Sequence, residues 1–419
     1  MSEPIVIVGA GIGGLAAALA LAQKGVPSRI IERAPEIREV GAGVQVGPNA
    51  FRAFARLGVA EEMDAISFRP TALRLIDSLT GQELSRQTLG APFEARFRYP
   101  YRVAFRADVQ QVLLRAVSRH SDAIQITLGD GLEAYGPLHD GVVARLESGA
   151  IVRGRGLVGA DGIRSRVRQH LFGDGAPRQS GYVAYRAVAP VSEVPGHVLT
   201  DDTRVFVGPE HHLVCYKLRR GELFNIVAIF RSDHADTSWD APGSPAELRA
   251  GFAGASAEVQ NLLQQIRDWK VWGLHDRDPR PGWSQGPVTL LGDAAHPMLP
   301  YLAQGACMAI EDAVVLADQV AAGADTAQAF SAYEQARYPR TSAVQLAARR
   351  AGEINHLAGA AREARNAALA HQPGDDYEAA AWLFDGADAP APPPEHGYGV
   401  FSARPILPED ERQIVTRPR

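Results

Sequence analysis

The chain has 419 residues, 46% hydrophobic and 22% charged, with a formal net charge of -5. That is globular composition, long enough for two or three domains, and the mildly acidic balance without a basic cluster argues against a nucleic-acid surface. Two distant cysteines, Cys215 and Cys307, exclude a disulfide framework or a Cys-x-x-Cys metal site, and no stretch approaches the roughly 18 apolar residues of a membrane span.

The N-terminus, MSEPIVIVGAG, runs into a strand without a signal peptide's charged and apolar regions, so the expectation is a soluble cytoplasmic protein. Ile5 to Val8 is a β-branched run that suits a buried parallel strand. The Ala/Leu-rich stretch LAAALALAQKG predicts a helix closed by Gly25, and SRIIE (28–32) a second strand, completing one βαβ unit. Residues 107–120 carry helical periodicity, and AIQITLG, GVVARLE and AIVRGRGLVGADG read as short strands. From about 180 to 275 the pattern shifts to VAYRAVAP, TRVFVG, HHLVCYKL and LFNIVAIF, strands separated by turn signals that predict a largely antiparallel sheet inserted into an α/β framework. VTLLGDA returns to the buried parallel style, and helices follow from Gln304 and over 325–356. ADAPAPPPEHG (387–397) reads as a Pro-rich linker or tail. The organisation implied is one domain over 1–175 with 276–345, a second over 176–275, and C-terminal helices and tail over 346–419. Those helices could equally form a homodimer face or pack within the chain.

Gly9, Gly11 and Gly14 form G-x-G-x-x-G between the first strand and helix. The first glycine permits the tight turn, the second lets backbone approach a pyrophosphate, and the third lets helix and strand pack closely. Glu32 ends the second strand where an acid meets a ribose hydroxyl, with Arg33 beside it. Two later strands end in Asp161-Gly162 and Gly292-Asp293, so three strand ends could converge on one extended cofactor. No G-x-S-x-G elbow or metal-ligand cluster occurs.

The ordered motifs GAGIGG, GADGIRSRVR and GDAAHPMLPYLAQGACMAIEDA resemble the single-component flavin-dependent aromatic hydroxylases with one dinucleotide-binding domain, from residue 5 to about 345. The resemblance implies a Rossmann-like FAD domain of the 4-hydroxybenzoate hydroxylase type with an inserted antiparallel substrate domain. It implies tightly bound FAD, NADH or NADPH as transient reductant, and hydroxylation of a small aromatic carboxylic acid by O2 through a flavin C4a-hydroperoxide. Gly9, Gly11, Gly14, Glu32 and Arg33 would hold the ADP half and Arg106 the pyrophosphate or linker. Asp161 would lie near FAD and the reductant's path, and Asp293 would bind the ribityl or pyrophosphate region. Gly305 and Ala306 would aim a helix N-terminus at the flavin, and Val44 and Gln45 of GAGVQVGPNA would touch the ring. A reductase, a dehydrogenase or a non-turnover FAD protein of the same fold remain alternatives.

A phenolate is a better nucleophile than a phenol, so a base should sit near the substrate hydroxyl. Strand alternation puts His212, Val214 and Tyr216 on one face and turns His211 away. Histidine ordinarily titrates near neutral pH, and the resemblance places a His and a Tyr four residues on in the substrate pocket. Pro300 and Tyr301 are expected at the wall beside the flavin, Gln304 as loop support and His296 as structural. Pro300 follows the 4-hydroxybenzoate, salicylate and 6-hydroxynicotinate pattern, where 3-hydroxybenzoate 6-hydroxylases carry Gln, while Gln45 departs from the hydroxynicotinate His and GAGVQVGPNA resembles the hydroxybenzoate type, which leaves the aromatic acid open.

Overall fold

The computed structural model describes residues 3–37, 41–233, 241–266, 268–323, 325–370, 373–386 and 389. The Pro-rich stretch 387–397 lies almost wholly outside them.

Five parallel strands form the first sheet in the order Val288–Leu290, Gly156–Gly159, Ile5–Val8, Ser28–Glu32, Ile124–Leu128. The β-branched run at the start is its central strand. Ile5 and Ile7 face a core built with helices Ile12–Gln23, Arg106–Ser118 and Gly305–Ala322, whereas Val6 and Val8 face a three-stranded sheet carrying Leu132, Val142 and Val152. A strand buried on both faces has no polar alternation, which is why Ile-Val-Ile-Val sits here.

The second sheet has eight strands in the order 241–242, 270–276, 178–190, 223–231, 211–218, 203–208, 72–77, 83–88. All its pairings are antiparallel except Thr203–Gly208 with Ala72–Asp77. It therefore draws two strands from the chain before residue 100, outside the 176–275 stretch. The physical reason lies in the edge of Thr203–Gly208, where Val205 and Val207 are buried beside Leu73 and Leu75; an uncovered apolar edge would invite aggregation. One face is covered by Leu248, Phe252, Val259 and Leu262 from two short helices. The other turns toward the first sheet's strand ends and the C-terminal helices.

The Thr326–Asn355 helix crosses both units. Its Arg337 and Arg340 bind Glu311 and Asp312 of Gly305–Ala322 in a buried network: Arg337 Nε to Asp312 at 2.6 Å, Arg337 Nη1 to Glu311 at 2.7 Å, Arg340 Nε to Glu311 at 2.9 Å. Burial opposes ionisation of both acids, but the arginines prevail for Glu311, and His296 with Arg337 for Asp312, holding each carboxyl at about 2.

Candidate active site

The three motifs follow three adjacent strands, so topology brings them to one carboxyl-end crevice. Gly9 has φ +108°, and a Cβ there would lie 2.4 Å from the Ala160 carbonyl oxygen. A Cβ on Gly14 would lie 2.0 Å from the Gly9 oxygen, yet one on Gly11 would meet nothing within 4 Å. Gly9 and Gly14 thus serve chain packing, and Gly11 keeps space open. The helix behind it starts without a side-chain cap, leaving N–H groups for a phosphate. Glu32 accepts 2.8 Å hydrogen bonds from the Ala10 and Ala34 amides, which aims its carboxylate into the turn with lone pairs to spare for sugar hydroxyls. Arg33 is exposed just beyond. This cradle fits a dinucleotide.

Asp161 sits at the same crevice, its Cα 3.1 Å from where a Gly9 Cβ would be. Its carboxylate accepts from Ser165 Oγ at 2.5 Å, the Arg166 amide at 2.7 Å and the Val167 amide at 3.3 Å. It organises the N-terminus of helix Arg166–Phe172. Buried Arg168 of that helix donates to the carbonyls of Ala294 (3.1 Å) and Ala295 (2.8 Å), lashing the second motif to the third. In the third motif Asp312 accepts from the Gly292 amide at 3.0 Å and meets His296 Nε2 at 2.6 Å, so His296 is structural. Asp293 is exposed, with Oδ1 3.7 Å from a Cβ built on Gly305, at the start of the Gly305–Ala322 helix. Ala303, at φ +53°, turns the chain into that helix, and no side chain caps it. Gly305 and Ala306 therefore present open amides, and Gln304 accepts from Asn49 Nδ2 at 2.9 Å as loop support.

Strand Gly43–Val46 bridges the two units. Val44 packs into the first core, while the Gln45 side chain turns the other way and accepts from the Tyr101 hydroxyl. Gly43 donates to Asn225 Oδ1 at 2.9 Å, and a Cβ there would lie 2.6 Å from the Tyr216 hydroxyl. Glycine lets this strand close onto the eight-stranded sheet. The Arg106 amide donates to Ala42 at 2.9 Å.

Across the crevice, His212, Val214 and Tyr216 share the sheet face turned to the cradle, and His211 points to the opposite core, 2.7 Å from Ser78 Oγ. Register brings Ala184, Arg186 and Val188, with Asn225, Val227 and Ile229, onto the same face. Tyr301 packs edge-on to His212 at 5.3 Å, and Pro300 opens its short turn. Burial corrects one expectation: the His212 imidazole is pushed down to about 3, with His211 adding to the shift, so it is a neutral acceptor rather than a group titrating near pH 7. Burial likewise pushes the Tyr216 and Tyr301 hydroxyls up and keeps them protonated.

Arg186, which no motif singles out, lies 3.8 Å above the Trp272 ring. Its Nε is buried without a partner, and no carboxylate pairs with it among the described residues. Burial, reinforced by nearby Arg106, pulls it down to about 9. The sequence signal was present: one arginine on the alternating apolar strand VAYRAVAP.

A glycine-cradled dinucleotide crevice beside a sheet face that carries His212, Tyr216 and Arg186 defines a nucleotide-dependent oxidoreductase architecture. The chain belongs to the FAD binding domain family, whose pattern spans residues 2–348. It is 39% identical over 386 residues to 3-hydroxybenzoate 6-hydroxylase 1 of Aquipseudomonas alcaligenes, covering 92% of this chain and 98% of that protein. It is 34% identical to 6-hydroxynicotinate 3-monooxygenase of Bordetella bronchiseptica, covering 81% and 89%. Among solved structures, Klebsiella pneumoniae HpxO complexed with FAD and uric acid superposes with a TM-score of 0.78 at 29% identity, covering 89% and 94%.

Proposed function

We propose that the chain is an FAD-dependent monooxygenase that hydroxylates a small phenolic or hydroxypyridine carboxylic acid with NADH or NADPH and O2. The observation that carries this is the single sheet face holding His212, Tyr216 and Arg186 opposite the Gly-rich cradle. Gly9, Gly11, Gly14, Glu32, Arg33, Arg106 and Asp293 would hold the dinucleotide, and Val44, Gln45, Gly305 and Ala306 would border its ring. The bound flavin supplies reductive activation of O2. The protein orients the acid, excludes water and controls one proton. Arg186 holds the carboxylate, Tyr216 donates a hydrogen bond, and neutral His212 accepts the ring hydroxyl's proton, making the carbon beside it nucleophilic. Pro300 and Tyr301 close the wall, and Asp161 fixes the turn beside the cofactor.

The test is a panel of 3- and 4-hydroxybenzoate, salicylate and 6-hydroxynicotinate, read as stimulated NADH or NADPH oxidation and as hydroxylated product by mass spectrometry. Stimulated oxidation without product points to a reductase or dehydrogenase. His212→Asn is expected to lower coupling and raise peroxide while FAD stays bound; full coupling in that variant removes His212 from the role.

A further inference from the structure

Helix Thr326–Asn355 ends at His356, beyond the family-matched residues, and delivers an imidazole to the substrate chamber. His356 Nε2 lies 2.8 Å from His212 Nδ1, with ring centroids 5.0 Å apart. Tyr182 stacks on His356 at 4.6 Å and 22°, and Tyr301 meets it edge-on at 5.5 Å. Such a bond needs one nitrogen protonated and the other bare, so the tautomer of each ring depends on its partner. Arg365 holds the helix end in place, donating to the carbonyls of Ile354 at 3.0 Å and Asn355 at 2.9 Å.

We propose that His356 is the positioning residue that sets the tautomer of His212 and relays its proton outward. This rests on the functional reading above. The substrate O–H breaks as a proton joins His212 Nε2, the His212 Nδ1–H breaks, and a new N–H forms on His356 Nε2. One proton crosses and no redox change occurs; the substrate is left as phenolate and His356 as imidazolium. His356 does not keep the charge, because burial disfavours it first, and His212, His211 and Arg365 disfavour it further. Tyr182 from strand Arg178–Pro190 and Tyr301 from the loop are, among the described residues, the remaining titratable groups against the pair, with Glu210 and Glu353 beyond Tyr182. Of the two residues His356 is the more exposed, 8% against 3%, which sets the proton's exit on its side.

The experiment mixes FAD-loaded protein with 3-hydroxybenzoate in weak buffer and follows proton release with an indicator dye, alongside phenolate absorbance and equilibrium binding. His356→Asn should keep the wild-type dissociation constant within threefold and slow proton release at least tenfold. Release at the wild-type rate with the acid bound overturns the relay alone. If the variant loses FAD, the wild-type proton inventory in H2O/D2O mixtures decides: a curved plot supports two protons in flight, and a straight one overturns the relay. A wild-type protein that binds none of the four acids overturns the functional reading and the relay with it.

Discussion

Replacing Arg186 by Gln should move stability and binding in opposite directions. The guanidinium is charged at neutral pH, desolvated and without a carboxylate partner among the described residues. A base drawn down to about 9 on folding destabilises the folded state while it stays charged, and this holds at every pH below about 9. Removing the charge relieves a penalty on the order of a few kcal/mol. Against this stands the stacking on Trp272, worth about 0.5–2 kcal/mol. Arg186→Gln is therefore expected to melt at or above the wild-type temperature. The pairing with a bound carboxylate should be lost; a charged hydrogen bond of about 1.5–3 kcal/mol corresponds to roughly ten- to a hundredfold in affinity. Titrating FAD-loaded wild type and variant with 3-hydroxybenzoate and 3-hydroxybenzamide, by flavin fluorescence, isolates the carboxylate. The acid should weaken by that factor and the amide should not. Equal binding of the acid by both proteins, or a melting temperature several degrees lower in the variant, would refute the assignment.

Gly11→Ala should leave the apoprotein's melting temperature unchanged yet weaken FAD about tenfold or more, since its Cβ enters open space reserved for the cofactor; Gly14→Ala should destabilise the apoprotein itself, and calorimetry with FAD titration separates the two. Glu311 and Asp312 are held at about 2, below their ordinary 4.5 and 3.8, so their stabilisation is complete above about pH 5 and fades as pH falls toward 2, visible as a falling denaturation midpoint. Arg337→Met should cost about 3–5 kcal/mol, because it removes the cation shared by two buried carboxylates and leaves Glu311 to Arg340 and Asp312 to His296, and chemical denaturation reads the loss directly. Asp293→Ala should weaken FAD, read by titrating the apoprotein with the cofactor, as expected of an exposed side chain at the mouth of the crevice.

The geometry of the glycine turn was legible because its constraints are local. Gly9 and Gly14 answer to a backbone oxygen a few ångströms away, and Glu32 to amides near it in the chain or across one strand. Period-two alternation likewise put His212 and Tyr216 on one face and His211 on the other. The chamber's electrostatics were not legible. Whether His212 is cationic or neutral depends on desolvation by residues from distant segments, among them Tyr301 and His356. Asp161 reads as a cofactor ligand from its strand-end position, yet its carboxylate caps the following helix. The two strands before residue 100 join the substrate sheet through long-range pairing that no local pattern encodes. The sequence by itself determined the parallel-strand framework, the glycine turn after its central strand and the facing of side chains on strand His211–Leu218, because backbone geometry and period set them within a few residues. Only the tertiary structure decided which buried charges lack partners and which imidazoles touch, because burial and hydrogen bonding are properties of the assembled neighbourhood: Arg186 finds the Trp272 ring, and His356 from the end of a thirty-residue helix finds His212, only in the assembled fold.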